Sequence, residues 1–318
     1  MPPQSIPAAA PFFIVFNLTS GHHDAIRVRR MIETKLCTAG RDFEIVAIDR
    51  PSELPEIARR VVQRAKECQG VVVAAGGDGT LNAVAQATLG SGCPFGVLPQ
   101  GTFNYFSRAH GIPSETVHAV ELLLSARAHP VQVGQVNERL FLVNASVGLY
   151  PELLEDREAY KQRFGRSRLV ALASGLVTLF KEHRQLRLRI DHLDQQRNLR
   201  TPTLFVGNNP LQLAQIGLSE SNAVVHGQLA AIALKPVSHL GLLWLMFRGA
   251  MGRLGEADSV TSFAFGRITV RPRLPFGARR VKVATDGEVG WMRTPLDFRV
   301  ASQPLMLVRP EPTEPGAT

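Results

Sequence analysis

The 318-residue sequence is poor in cysteine, with only Cys37, Cys68 and Cys93. Three cysteines are too few for the disulfide framework of a small secreted domain or for a cysteine-rich zinc site. We therefore expect reduced, structural thiols in a cytoplasmic protein, because disulfides persist mainly in oxidising compartments. Apolar residues make up 45% and charged residues 20% of the chain, which excludes a disordered or collagen-like protein.

A long apolar run is also missing. The longest apolar stretches, 169–180 and 240–247, are well short of the roughly 20 residues that cross a bilayer. Residues 1–10 lack the basic start and long apolar core of a secretory signal. We therefore expect a protein with no transmembrane segment that is not exported.

Acidic residues are fewer than basic ones, 27 against 36, and the formal net charge is +9. This balance favours an anionic partner, whether nucleic acid, a nucleotide or an acidic lipid surface, without distinguishing among them. No nucleic-acid partner is expected, because the basic residues are interleaved with acidic ones and the aromatic-basic motifs of known modules do not occur.

Residues 11–136 alternate short apolar runs with helical periodicity, which predicts a parallel sheet wound with helices. The run at 71–75 is apolar throughout, as is typical of a strand buried on both faces. The predicted elements are strands 12–17, 43–48, 71–75 and 95–99 and helices 24–36 and 54–65, the second capped by Ser52.

The remainder of the chain reads as many short strands separated by turns, apart from a helical stretch at 167–182. This spacing favours an antiparallel sandwich or barrel. We expect a boundary near 134–144 and domains at 11–136 and 137–302, with 303–310 as a candidate completion of the first. The predicted strands are 186–190, 203–207, 228–234, 267–271, 280–284, 296–300 and 305–308.

Three glycines follow the buried strand in Gly76-Gly77-Asp78-Gly79-Thr80, ahead of a helical pattern over 81–89. Glycines at a strand-to-helix junction let the backbone approach a ligand and direct its amides towards phosphate oxygens. Asp78 would repel bare phosphate unless a divalent cation bridges the two, or unless it orients a hydroxyl. The alternative is a glycine-rich turn in which Asp78 caps the next helix.

Two more polar loops follow strands of the same predicted sheet, at 17–21 and at Gly101-Thr102-Phe103-Asn104. The carboxyl ends of parallel strands share one rim, where open α/β sheets bind ligands, so we expect these loops to line one crevice with the glycine loop. Taken alone, the second loop is equally typical of an ordinary turn.

Asp286-Gly287-Glu288 follows the predicted strand 280–284. Two carboxylates around a glycine can face one cleft, where one pairs with a metal or a lysine and the other takes a proton from a hydroxyl. An ordinary Asp-Gly hairpin turn is the alternative.

In their order and spacing, these motifs resemble the diacylglycerol kinase catalytic-domain family, and within it the soluble bacterial lipid kinases that are similar to sphingosine and ceramide kinases. Gly-Gly-Asp-Gly is shared with NAD kinases and, loosely, phosphofructokinases, so the later motifs decide for a lipid kinase. The resemblance runs through 17–21, 76–82, 98–113, 144–148, 286–288 and Thr294-Pro295.

The resemblance implies an α/β nucleotide-binding domain followed by a β-sandwich domain, with ATP in the crevice and Mg²⁺ required. It also implies that Glu288 deprotonates the lipid hydroxyl, supported by Asp286. From its place in the glycine loop, Asp78 is the residue expected to bind the metal. The residues expected to bind the cofactor are Asn17, Ser20, Gly21, Gly76, Gly77, Asp78, Gly79, Thr80, Asn82, Thr102 and Asn104.

Two positions depart from the family's pattern. Tyr105 stands where Gly-Thr-x-Asn-Asp has its acid, and His226-Gly227 stands where the family tends to carry the Asp-Gly of an accessory metal site. A phenol and an imidazole are poor ligands for a hard cation. We therefore expect the accessory magnesium to be absent or weak, replaced by packing or by a hydrogen bond between domains.

A lipid substrate at a membrane surface implies a cytoplasmic protein in peripheral contact with that surface. The stretch 240–253 has the apolar bulk, tryptophan and arginines of an interfacial segment, although a core helix is the alternative. Basic residues further on would approach anionic headgroups or form a solvated sheet face. They are Arg267, Arg271, Arg273, Arg279, Arg280 and Lys282.

Two other functions stay open beside the lipid kinase. A small-molecule kinase of the NAD-kinase type would share the first glycine loop, but the Asn104 and Glu288 turns argue against it. A nucleotide-binding regulator without catalysis is favoured by Tyr105 and His226. A homodimer is the protein assembly that we consider.

Overall fold

The structure is a computed structural model, and its described residues fall into two compact units, one within 1–133 and 302–318 and the other within 134–301. No helix among the described residues is long and apolar enough to cross a membrane. The helix predicted at 167–182 lies outside them. The described residues are 2–18, 25–125, 127–148, 151, 186–192, 195–236, 241, 244–245, 248, 251–253, 255 and 257–311.

Strands dominate the regular structure. The strands are β1 Phe12–Asn17, β2 Phe43–Ile48, β3 Val71–Gly76, β4 Phe95–Pro99, β5 Arg127–Val131, β6 Gly134–Val136, β7 Arg139–Phe141, β8 Asn144–Gly148, β9 Leu186–His192, β10 Gln195–Thr201, β11 Thr203–Gly207, β12 Leu229–Leu234, β13 Val260–Phe265, β14 Arg267–Pro272, β15 Arg280–Thr285, β16 Glu288–Arg293, β17 Leu296–Val300 and β18 Leu305–Arg309. The helices are α1 Ala25–Thr38, α2 Leu54–Glu67, α3 Asp78–Thr88, α4 Tyr105–Ala109, α5 Thr116–Ser125, α6 Pro210–Gln215 and α7 Ser221–Val225.

The first unit is an α/β layer structure built on a six-stranded sheet in the order β2-β1-β3-β4-β18-β5. Strands β1 to β4 are parallel to their neighbours. All six residues of β3 are buried, because helices cover both faces of the sheet. Strand β18 comes from the end of the chain and lies between β4 and β5, parallel to the former and antiparallel to the latter.

Helix α2 shows how the periodicity of the sequence becomes packing. Its buried residues recur every three or four positions on one face, and they include Ala58, Val61 and Ala65. The prediction that Ser52 caps this helix was wrong. Ser52 lies within a 3₁₀ turn over 51–53, so the backbone is already helical there and Glu53 occupies the N-cap position.

The second unit is a sandwich of two six-stranded sheets, β10-β9-β14-β17-β6-β7 and β13-β12-β11-β8-β15-β16, in which every pairing is antiparallel. One apolar cluster joins their facing sides, with Ile190 and Phe298 from the first sheet and Val147 and Val283 from the second. Helices α6 and α7 cover part of the outer face of the second sheet. The expected combination of a parallel α/β layer and an antiparallel sandwich is confirmed.

Parts of this unit were not predicted. Strand β10 has the polar sequence QQRNLRT, which lacks the apolar alternation that predicts a strand. In the predicted interfacial stretch 240–253, Trp244 is exposed and Leu245 is buried among the few residues that the structure describes there.

Candidate functional site

The glycine loop joins the buried strand β3 directly to helix α3. The helix begins at Asp78, earlier than the predicted 81–89, so Asp78, Gly79 and Thr80 form its first turn. Gly77 is the N-cap, with φ −84° and ψ 179°, and the amide of Leu81 makes the bond to the Gly77 carbonyl. The backbone amides of Asp78, Gly79 and Thr80 come before this first hydrogen bond of the helix. Amides in this position carry the partial positive charge of a helix N-terminus.

Two glycines are required by close contacts. A Cβ on Gly76 would lie 2.6 Å from the Cβ and Oγ1 atoms of Thr80. A Cβ on Gly101 would lie 2.8 Å from Asn104 Oδ1 and 3.0 Å from the Cα atom of Gly77. The loops after β3 and β4 therefore meet backbone to backbone, and no larger residue fits at either glycine.

The end of β1 is tied to the same loop by a side-chain hydrogen bond. Asn17 Nδ2 donates to Thr80 Oγ1 at 2.8 Å, and the Thr80 side chain is buried. Asn82, two residues further along α3, is also buried. Thus Asn17, the glycine loop and the Gly101 loop lie together at one rim of the sheet. Ser20 and Gly21 lie outside the described residues.

Asn104 stabilises the second loop from within. It has a left-handed backbone, with φ +48°, and it is buried. Its Oδ1 accepts from the Gly101 amide at 3.0 Å, and its Nδ2 donates to the Gly101 carbonyl at 2.8 Å. Asn104 therefore closes the loop by hydrogen bonds, and Thr102 and Phe103 are exposed at its tip.

An aromatic pair at this loop was missed by the sequence reasoning. Phe103 is 54% exposed, and its ring is stacked on that of Tyr105, with centroids 5.8 Å apart and planes at 5°. The guanidinium of Arg108 lies 5.9 Å from the centroid of Tyr105. The sequence feature that could have predicted this pair is the aromatic residue Phe103, which lies between two polar residues two positions before Tyr105.

The second departure from the family pattern, His226, is in the other unit. Its Nδ1 lies 2.7 Å from the carbonyl oxygen of Asn222, one turn earlier in the chain. Within the part of the chain that the structure describes, no group of three or more His, Cys, Asp or Glu residues could hold a metal ion. The fate of the accessory magnesium stays a prediction.

In the second unit, Asp286 and Gly287 form the two-residue turn between β15 and β16. Both have positive φ, +49° and +89°, as a tight hairpin turn of this kind requires. The Asp286 carboxylate accepts three backbone amides, from Leu142 at 2.7 Å, Val143 at 2.8 Å and Asn144 at 2.9 Å. This carboxylate therefore attaches the turn to the chain between β7 and β8.

Glu288, the first residue of β16, has a different environment. Its side chain is 51% exposed, and its Oε2 lies 3.1 Å from Nη2 of Arg139 on β7. Partial burial raises the pKa of the Glu288 carboxyl; the Arg139 charge opposes this shift, and the Asp286 charge adds to it. A carboxylate whose pKa is shifted towards neutrality is better suited to accept a proton at physiological pH.

Arg139 was not predicted as a site residue. It lies 149 positions from Glu288, and no local pattern in the sequence connects the two. In the structure, a Cβ on Gly290 would lie 3.5 Å from Arg139 Nη1, so the arginine passes beside a position with no side chain.

We expect Asp286→Ala to lower the free energy of unfolding by roughly 2–3 kcal/mol, because three amides lose a charged acceptor. Denaturant unfolding followed by circular dichroism measures the change. Asp258→Ala, at an exposed aspartate of the same unit, is the control and should change stability by less than about 0.5 kcal/mol. Equal stabilities of the two variants would contradict the anchoring role of Asp286.

Comparison with known proteins identifies a family that the first unit resembles in sequence. Residues 11–136 match the profile of the diacylglycerol kinase catalytic domain. The chain is 33% identical to the diacylglycerol kinase of Bacillus subtilis (strain 168) over 150 residues, which cover 45% of this chain and 47% of that protein. It is 33% identical to the diacylglycerol kinase of Staphylococcus haemolyticus (strain JCSC1435) over 137 residues, covering 42% and 41% of the two chains. These matches span about half or less of the curated relatives' length.

Solved structures extend the similarity of the fold over nearly the whole chain. A crystal structure of a diacylglycerol kinase from Bacillus anthracis str. Sterne superposes with a TM-score of 0.67 and 17% identity, covering 95% of this chain and 97% of that one. A further crystal structure of a protein from the same strain gives a TM-score of 0.70 at 18% identity, again covering 95% of this chain and 97% of that one. The structural likeness establishes the fold, and the sequence matches establish that residues 11–136 belong to the diacylglycerol kinase catalytic-domain family.

Proposed function

We propose that this protein is an ATP-dependent lipid kinase that transfers the γ-phosphate to a hydroxyl of diacylglycerol or a related lipid. The observation that carries the proposal is the family match over residues 11–136, which includes the two loops in backbone contact at Gly77 and Gly101. The curated relatives bear the name diacylglycerol kinase. We further propose that the protein works in the cytoplasm, in peripheral contact with the membrane that holds its substrate.

The proposed ATP site is the rim of the first unit. Helix α3 offers the amides of its first turn. Gly76 and Gly101 let the parts of this rim pack closely, because a Cβ at either position would collide with Thr80 or with the Gly77 backbone. Asn17 fixes Thr80 within that turn, and Asn104 fixes the loop that carries Thr102. These contacts hold the phosphate-binding groups in place before a ligand arrives, which lowers the cost of ordering them on binding.

Asp78 fits a magnesium ion that accompanies the phosphates. It is an acidic residue in a helix first turn that otherwise favours anions, and a carboxylate oxygen is the ligand type that Mg²⁺ prefers. Without a cation, the carboxylate would repel the phosphates that the amides attract. Bound magnesium would neutralise charge on the transferred phosphoryl group.

Glu288 is the proposed general base. An aliphatic alcohol is a weak nucleophile, so a carboxylate that takes its proton assists attack on the γ-phosphorus. As the new O–P bond forms, the bond to the β-γ bridging oxygen breaks and ADP leaves. Arg139 keeps Glu288 ionised and oriented, and Asp286 positions the turn on which Glu288 lies.

A nucleotide-binding regulator is the second candidate function, and Tyr105 favours it. At that position a phenol stacked on Phe103 stands in place of the family's acid. Labelled ATP, incubated with dispersed diacylglycerol or with NAD in the presence of magnesium, separates the possibilities. Label transferred to the lipid supports the lipid kinase, label on NAD supports a small-molecule kinase, and ATP binding without transfer supports a regulator.

We expect Glu288→Gln to lower kcat about 10²- to 10⁴-fold, because an amide cannot accept the proton of the substrate hydroxyl. The affinity for ATP, measured by calorimetry, should stay unchanged. Glu138→Gln, at an exposed glutamate next to Arg139 in the chain, is the control and should retain activity. Parallel losses of turnover and of ATP affinity in Glu288→Gln would argue for a structural role.

The pH profile tests Arg139 separately. The Glu288 pKa lies above its ordinary value, and removal of the opposing cation in Arg139→Gln should raise it further. Activity that requires the carboxylate is lost as pH falls through this pKa, so the acid limb of kcat should move to higher pH. Arg139→Lys, which keeps the charge, should partly restore the wild-type profile. An unmoved acid limb in Arg139→Gln would disconnect Arg139 from the base.

We expect Asp78→Asn to weaken the binding of Mg·ATP and to lower turnover together, because an amide is a poorer magnesium ligand than a carboxylate. Titrating magnesium at fixed ATP should show that the variant needs a higher magnesium concentration for half-maximal activity. Identical magnesium dependence in variant and wild type would remove Asp78 from the metal site.

A further inference from the structure

The edge hairpin of the second unit, β15–β16, carries basic and aromatic side chains on one face. Its register places Arg280 opposite Arg293, and Lys282 opposite Trp291. Side chains on a strand alternate between faces, and Val281 belongs to the apolar cluster between the sheets, so these four residues lie on the outer face. We call Arg280, Lys282, Trp291 and Arg293, together with the adjacent Arg279, the edge patch.

The arginines of the edge patch are exposed, and no carboxylate in the described part of the chain pairs with them. Among the described residues, none of Arg279, Arg280 and Arg293 forms an ion pair. The other sheet of the sandwich differs, since Arg267 pairs with Asp297 at 2.8 Å and Arg271 pairs with Asp191 at 3.1 Å. Of the basic residues that the sequence suggested for headgroup contact, these two are thus neutralised by neighbours.

The arrangement of the edge patch is unfavourable for the isolated protein. Like charges directly opposite each other on neighbouring strands are destabilising, and Arg280 faces Arg293 in this way. Trp291 is 63% exposed, with Lys282 Nζ lying 5.4 Å from its ring centroid. Charges on an edge strand also discourage edge-to-edge aggregation, but that purpose requires no exposed tryptophan.

A concave surface accompanies these side chains. An open cavity of about 830 Å³ is lined by Arg279, Arg280, Arg293, Trp291, Ala278 and Thr294. Three guanidinium groups around one hollow match the charge and geometry of phosphate oxygens, which arginine binds with paired hydrogen bonds. The cavity lies beside β16, which is the last strand in the order of its sheet as the described residues form it.

We propose that the edge patch docks on the anionic phospholipid surface of a membrane, with the arginines contacting phosphate headgroups and Trp291 entering the interface. Several cations spread along one strand pair suit an extended charged surface, and an amphipathic indole has its preferred place at the boundary of headgroups and acyl chains. The proposal rests on the proposed lipid kinase function for its purpose, because such a surface would bring the enzyme to its substrate.

Vesicle binding without nucleotide tests the edge patch. The wild-type chain is sedimented with vesicles of phosphatidylcholine alone or mixed with phosphatidylglycerol. We expect binding to the mixed vesicles only, decreasing as salt is added. The double variant Arg280→Ala/Arg293→Ala should bind about 30-fold more weakly, because each cation near the surface contributes roughly a factor of five.

The matched control is Arg267→Ala/Arg271→Ala, which removes the same formal charge from the other sheet and should change binding less than the edge-patch variant does. Melting temperatures of both variants show that each is folded. Trp244→Phe leaves Trp291 as the single tryptophan, since the chain has only two. A blue shift of its fluorescence on adding mixed vesicles is expected, and an unchanged spectrum would contradict entry into the interface.

Several outcomes would overturn the proposal: equal losses of binding in the two double variants, equal binding to both kinds of vesicle, displacement from vesicles by inorganic phosphate at matched ionic strength, or preference for a single-stranded oligonucleotide. The assay needs no phosphoryl transfer, so its failure leaves the kinase proposal standing. If the kinase proposal fails while vesicle binding persists, the edge patch remains a membrane-docking surface.

Discussion

The candidate nucleotide rim depends on the close approach of two backbones. Where Gly77 meets Gly101, the loops after β3 and β4 approach too closely for a side chain on Gly101. The amide of Gln100 bonds to the Gly76 carbonyl across the same junction, and Asn104 closes the second loop on itself. Because the loops are joined in this way, the first turn of α3 has a fixed position relative to the loop that carries Thr102. Phosphate binding needs such fixed amides, since a flexible loop would lose entropy on binding.

Asp286 and Glu288, the two carboxylates at the β15–β16 turn, have different environments in the second unit. Asp286 accepts three backbone amides, and this anchoring holds the hairpin turn against the chain before β8. Glu288, two residues later, is half-exposed and meets a single arginine. The division follows from environment, because a carboxylate saturated by amides has little remaining capacity to accept a proton, whereas a partly desolvated one with a raised pKa retains it. In the proposed mechanism, Asp286 is for this reason a positioning residue.

The positive charge of the chain is distributed unevenly over the sandwich. On the β14 sheet, arginines pair with Asp191 and Asp297, so their charge is compensated locally. On the β15–β16 hairpin, Arg280 lies opposite Arg293, and neither forms an ion pair with a described carboxylate. Net charge alone could not distinguish the two situations, because both sheets are rich in arginine. Uncompensated positive charge beside the exposed Trp291 distinguishes the hairpin from the other sheet.

The sequence by itself determined the class of each unit and the residues of the glycine loops. Continuous apolar runs such as 71–75 predict buried parallel strands. Because parallel strands end at a common rim, the sequence also predicts that the loops following strands 12–17, 71–75 and 95–99 lie close together. Only the tertiary structure decided that β18 lies between β4 and β5, that three amides converge on Asp286, and that Arg139 reaches Glu288 across 149 positions. Periodicity and local motifs report on neighbours a few residues apart. Contacts between distant segments leave no such local signal, because they depend on which strands the folded chain places side by side.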